Sequence, residues 1–154
     1  MGTRVPAAAG APVLVVLAEP GASRAMELRR LLPELRAAVG DQRRVLVGFD
    51  RGGWSPALFE HMHAQGFDVL TWRKGPADDI DETLFADVTH VDDHGRGHSW
   101  RVADTTVDLA TNNDQDTFTM RQVSLEVANN KTGKDKHGQD STRQIHILTT
   151  RTDL

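Results

Sequence analysis

The pattern of hydrophobic positions changes character near residue 77. Before it, short apolar runs alternate with stretches in which apolar residues recur at helical spacing. Val13 to Leu17, entered from Pro12, is an unbroken apolar run of the length of a strand buried on both faces. Ser23 is placed to cap a helix with Leu28, Leu31, Leu32, Leu35 and Val39 on one face. Arg29, Arg30, Glu34 and Arg36 fill its other face, and Gly40 suits its end. Pro33 lacks a backbone N–H and is expected to kink or split that helix. Arg44 to Asp50 predicts a second strand that ends on a carboxylate. Ser55-Pro56, a capping residue followed by proline, opens a second helix to about Gln65, with Leu58, Phe59 and Met62 inward. Gly66 stops it, and Phe67 to Trp72 predicts a third strand. Strand, helix, strand, helix, strand with short links is the pattern of a parallel α/β layer.

Beyond Pro76 the pattern becomes one of β-branched and alternating residues. Phe85 to Val91, Ser99 to Leu109, Thr117 to Val127 and Arg143 to Thr150 predict strands. Turn-rich stretches separate them at Asp92 to Gly97, Asn112 to Asp116 and Asn129 to Asp140. The expectation is therefore an α/β segment over residues 1–77 and a β-rich segment with polar loops over residues 78–154. Charge divides at the same place: 10 basic and 7 acidic residues up to Ala77, against 8 and 15 beyond it. The chain as a whole carries a net charge of -4, with 38% hydrophobic residues. That balance argues against a freestanding binder of nucleic-acid backbone, which needs an excess of cations. The absence of cysteine excludes disulfides and thiolate metal sites and fits a reducing cytoplasm. Val13 to Leu17 is too short for a signal peptide core or a membrane span, so a soluble, cytoplasmic protein is expected.

The first candidate for chemistry is Asp50. A carboxylate that ends a buried parallel strand lies at the carboxyl edge of the sheet, where ligands gather in open α/β folds. Gly52 and Gly53 beside it permit close approach. On local pattern alone, an Asp after a strand reads first as a turn or cap residue.

The wider run "VLVGFDRGGWSPALFEHMHAQGFDVLTWRKG", Val45 to Gly75, resembles the stretch around the second acidic residue of bacterial insertion-sequence DDE transposases. In that family an apolar strand ends in Asp, Arg-Gly and an aromatic-Ser pair that opens a helix follow, and a Gly-Phe or Gly-Ile strand then ends in basic residues. Here these positions are Asp50, Arg51-Gly52, Trp54-Ser55, Gly66-Phe67 and Arg73-Lys74. The run "PVLVVLAEPGASRAMELRRLLPELRAAVG" looks like the strand and helix that precede it, and "RQIHILTTRTDL" like the return into the catalytic core. The resemblance is loose from Asp78 to Gln139.

The resemblance implies a partial RNase H-like fold interrupted by a β-rich insertion. It implies metal-dependent phosphoryl transfer at DNA strand ends, with two Mg2+ or Mn2+ ions held by Asp, Asp and Glu. Asp50 then corresponds to the second acid. Arg51 is either a contact to phosphate or to that Asp, or a solvated turn residue. Met1 to Pro12 holds no acidic residue for the first Asp, and the Glu-bearing helix would follow Leu154. The expectation is a fragment inactive alone, whose partners in the intact enzyme are DNA and full-length transposase. The alternative is a non-catalytic interaction or metal-binding module.

Three further groups of residues bear on chemistry. His90, His94 and His98, with Asp92 and Asp93, have the residue types of a Zn2+ or Ni2+ site, but Gly95 and Gly97 favour a polar hairpin turn. His61 and His63 point to different helix faces. Thr132-Gly133-Lys134 hints at a phosphate loop without the full glycine-spaced motif, and a solvated loop is expected.

Overall fold

Two serines set where the helices of this chain begin. A computed structural model describes residues 21–112, 115–128 and 142–153. Helix α1, Arg24–Val39, starts after Ser23, whose Oγ accepts from the Met26 N–H at 3.5 Å. Its end is Gly40, at φ +83°, whose N–H donates to the Arg36 carbonyl at 2.9 Å. Pro33 lies inside this helix and does not split it. Leu28 and Leu32 before the proline and Leu35 after it all pack toward one core, which holds both halves in line. After strand β1, Val45–Phe49, comes helix α2, Pro56–Ala64. Ser55 caps α2, its Oγ accepting from the Leu58 N–H at 3.3 Å. Strand β2, Phe67–Trp72, follows and pairs parallel with β1, Val45 opposite Phe67 and Phe49 opposite Thr71.

Four more strands complete the sheet: β3 Ala86–Val91, β4 Gly97–Ala110, β5 Thr117–Ala128 and β6 Thr142–Thr149. Their order is β1-β2-β6-β5-β4-β3, so the last strand returns to lie between β2 and β5. It is antiparallel to both neighbours. The described residues thus form a mixed α/β fold of two helices and one six-stranded sheet. The expected strand at Val13 to Leu17 and the loop at Thr132-Gly133-Lys134 lie outside them.

One core joins the two helices to the sheet, with β3 exposed along its length. Leu32, Leu58, Phe59, Met62, Phe67, Val69, Leu109, Met120 and Leu148 form a single buried cluster from both helices and four strands. Phe59 is fully buried and meets the Trp54 ring edge-on at 5.3 Å and the Phe49 ring at 5.8 Å. Phe67 also carries the Arg36 guanidinium 4.2 Å above its ring.

The joint between β2 and β6 contains a buried charge. Asp68 is 1% exposed. Its Oδ1 accepts from Arg44 Nη2 at 2.8 Å and from the Thr150 hydroxyl at 3.0 Å. Its Oδ2 lies 2.5 Å from Arg44 Nε, an ion pair whose alignment falls short of a hydrogen bond. Thr150 Oγ1 also accepts from the Val69 N–H at 2.9 Å, and the Thr150 N–H donates to the Val69 carbonyl at 3.2 Å. Losing the hydroxyl would leave two buried groups short of a partner. Thr150→Val should therefore lower unfolding free energy by about 1–3 kcal/mol in urea titration. A change within about 0.5 kcal/mol, the range of an ordinary surface substitution, would show that Thr150 does not secure this joint.

Candidate functional site

Asp50 leaves the end of β1 with extended backbone, φ −78° and ψ 176°. Its Oδ1 accepts from the Gly52 N–H at 2.8 Å and so caps a single 3-10 turn, Arg51–Gly53. Arg24, the first residue of α1, brings Nη1 to 2.9 Å from each carboxylate oxygen. The turn-cap role expected from local pattern is thus present, and the carboxylate remains open to solvent: its side chain is 70% exposed. The Gly52 N–H first, and Arg24 second, hold the Asp50 carboxyl below its ordinary value. The group is therefore ionised at neutral pH.

The two glycines of the turn lie close to the residues packed against it. A Cβ at Gly52 would collide with the Arg24 guanidinium. At Gly53 it would come within 2.7 Å of the Phe49 ring and 3.0 Å of Leu28 Cδ1. The Asp50 turn is thereby pressed against α1.

Asp50, Arg51 and Gly52 form one wall of a cleft of about 470 Å3, with Trp72, Arg143 and Ile145 opposite. Trp72 is 40% exposed. Arg51 and Arg143 are exposed, and neither has a hydrogen-bond or ion-pair partner among the described residues. A second cleft of about 530 Å3 is lined by Arg36, Arg44, His63 and Asp68 among others. Two of its cations have other work, while the Arg43 guanidinium, also in its lining, has no partner among the described residues. Arg36 donates to the carbonyls of Gly40, Arg43, Gln65 and Gly66, and Arg44 pairs with Asp68.

The histidine cluster is a hairpin turn. His90 on β3 lies opposite His98 on β4, and His94 sits in the turn between them. Asp92 Oδ1 accepts from the His94 and Arg96 N–H groups, each at 2.9 Å, and its Oδ2 lies 3.1 Å from His98 Nε2. The His98 contact, then the Arg96 N–H, lower the Asp92 carboxyl. Among the described residues no group of three His, Asp or Glu side chains is placed to hold a metal ion. His63 packs at 5.9 Å against the Phe118 ring.

One polar network had no sequence signal. Ser124 Oγ lies 2.7 Å from His146 Nδ1, Gln122 Nε2 donates to Ser124 Oγ at 3.4 Å, and Arg73 Nη1 donates to Gln122 Oε1 at 2.6 Å. Burial, and then the charge of Arg73, push the His146 pKa down, with Asp79 opposing. Ser124 is fully buried, so its hydroxyl cannot meet a substrate, and the network is structural.

No family model matches the chain, and no curated protein matches it. No helix among the described residues is long and apolar enough to cross a membrane.

The sequence singles out Asp50 and Arg51 as candidates but gives no sign of Arg24, Trp72 and Arg143 as their neighbours. Arg24 could have been suspected, because it occupies the first turn of a helix beside an apolar strand. The placement of Arg143 follows from the return of β6 to β2, which no local signal encodes.

The Asp50 pairing has a pH signature. Its folded-state carboxyl binds a proton less readily than the unfolded one, so the interaction is present above the unfolded pKa and is lost as pH falls through the folded one. A carboxyl-carbon NMR titration should place the Asp50 midpoint below the ordinary value of about 3.9. Arg24→Gln should raise it only part of the way, since Gly52 supplies the larger effect. An ordinary midpoint in the unsubstituted protein would contradict this geometry.

Proposed function

We propose that this chain is a segment of an insertion-sequence DDE transposase with a partial RNase H-like core, in which Asp50 is the second of three metal-binding carboxylates. The observation that carries the reading is the position of Asp50. It stands at the carboxyl end of β1, beside the parallel strand β2, ionised and exposed, within the run whose residues resemble that family. The return of β6 to the inner edge of β2 also supports it, because a β-rich insertion must leave and re-enter the α/β layer at neighbouring places.

Asp50 fits a divalent cation as one ligand. It offers two solvent-facing oxygens, and a Mg2+ or Mn2+ ion would have to displace Arg24 from them. In this reading the other two carboxylates come from outside the described residues, and the expectation is no strand transfer by the purified chain alone. When bound by the full set, the two ions would stabilise the attacking and leaving oxygens of an in-line displacement at a DNA strand end. The contribution of this chain would be to orient Asp50 through the Gly52 N–H and to keep it ionised. Its partners would be DNA and full-length transposase.

Titrating Mn2+ into the purified chain should broaden the amide resonances of Asp50 to Gly52 at concentrations on the order of millimolar. Asp50→Asn should abolish that broadening. Broadening that survives the substitution would remove Asp50 from the metal site. The same chain should leave DNA strands uncut; cleavage that depends on Asp50 would overturn the claim of inactivity.

A further inference from the structure

We propose that His146 is a pH-sensitive catch on the joint between β2 and β6. When neutral it completes a directed relay of hydrogen bonds from the end of β2, and a proton on its Nδ1 breaks that relay and frees this end of the joint. The catch does not depend on the reaction proposed above.

The direction of the relay follows from its donors. Arg73 lies just beyond Trp72, the last residue of β2, and a guanidinium can only donate. Its Nη1 donates to Gln122 Oε1 at 2.6 Å, which turns the Gln122 Nε2 toward Ser124. Gln122 Nε2 donates to Ser124 Oγ at 3.4 Å. The Ser124 hydroxyl still has its own proton to give, and His146 Nδ1 lies 2.7 Å away to accept it. Gln122 and Ser124 are both buried, so solvent does not take that proton instead. His146 is then neutral, with its proton on Nε2.

Acid adds a proton to Nδ1, the nitrogen that faces the buried hydroxyl. Nδ1 becomes a donor, Ser124 Oγ receives two hydrogen bonds, and the Ser124 proton loses its acceptor. A buried donor without a partner is unfavourable. The new charge also meets that of Arg73, while Asp79, on the link between β2 and β3, acts in the opposite sense. The partners of His146 on β5, Ser124 and Gln122, are neutral. Burial and Arg73 together outweigh Asp79, so the closed joint holds the imidazole below its ordinary value.

The position of His146 gives it leverage. β2 and β6 share three residue pairs, and beside the last of them, Trp72 with Ile147, the Arg73 N–H donates to the His146 carbonyl at 2.9 Å. Arg73 and His146 are thus joined twice, once through the backbone and once through the relay. At the far end Thr150 holds Asp68 and Val69 by bonds in which no imidazole takes part. Protonation therefore loosens the joint from one end. That end carries Trp72, with Arg143 and Ile145 on β6, so its release separates them in the cleft beside Asp50.

An opened end exposes His146 with its ordinary pKa of about 6.5, whereas the closed end holds it lower. The catch is at full strength above the ordinary value and weakens as pH falls below it. The balance between closed and open shifts by up to about tenfold per pH unit until the closed-state pKa is reached.

The test is amide hydrogen exchange of the full chain, read residue by residue by NMR from about pH 7.5 to about pH 5, above the ordinary range of carboxylates. Each rate is divided by that of an unstructured peptide at the same pH. Protection of the Arg73 N–H should fall as His146 titrates, while that of the Val69 and Thr150 N–H groups should stay constant. His146→Asn, whose Oδ1 can accept as Nδ1 does but takes up no proton, should keep Arg73 protected across the range. Imidazole nitrogen shifts of the unsubstituted protein, which need no variant, should place the proton of neutral His146 on Nε2. Arg73 protection that is absent or independent of pH, a fall that persists in His146→Asn, an equal fall at Thr150, or a neutral His146 protonated on Nδ1 would each overturn the proposal.

Discussion

The return of β6 to the edge of β2 is the constraint on which the rest of this structure depends. Only three residue pairs join those strands, Leu70 with Thr149, Thr71 with Leu148 and Trp72 with Ile147, whereas β6 and β5 share eight. So short a ladder would be a weak link between an α/β layer and a long antiparallel meander. It is reinforced at both ends. At one end Thr150 bonds Asp68 and both backbone groups of Val69; at the other the Arg73 N–H donates to the His146 carbonyl at 2.9 Å. The buried Asp68 makes the joint specific. An unpaired carboxylate there would be costly, so the β6 end must bring Thr150 into register and the β1 edge must bring Arg44.

That joint also builds the cleft. Asp50 and Arg51 come from the end of β1, Trp72 from the end of β2, and Arg143 and Ile145 from β6. A parallel pair alone would present Asp50 at an open edge with nothing facing it. With β6 in place, two cations that have no partner among the described residues and an aromatic ring line the same cleft as the carboxylate. The Asp50 turn is held from the other side by Arg24 and by two glycines too small to obstruct α1. The proposed chemistry and the fold therefore share their residues: the carboxylate that caps a turn is also the one offered to a cation.

Much of the local structure was legible in the sequence, because the signals were local. Ser23 and the pair Ser55-Pro56 marked both helix starts, Gly40 marked a helix end, and the boundaries of β2 coincide with the run Phe67 to Trp72. The six described strands fall where β-branched and alternating residues predict them. Pro33 was the misleading local signal: its missing hydrogen bond argues for a broken helix, but leucines on either side of it pack into one core. Long-range features were not legible. Asp68 looks like an ordinary polar position of a half-exposed strand, and its burial depends on Thr150, more than eighty residues away along the chain. Trp72 and Arg143 are likewise neighbours only because of the strand order.

The central claim is that Asp50 belongs to a set of three carboxylates, and the most direct measurement is the sequence of the DNA on both sides of this gene, translated in all frames. The account predicts an apolar strand ending in Asp encoded upstream, a Glu-bearing helix encoded downstream in the same or a shifted frame, and terminal inverted repeats beyond them. Flanks that encode neither acid would contradict it and leave Asp50 as the cap of a turn.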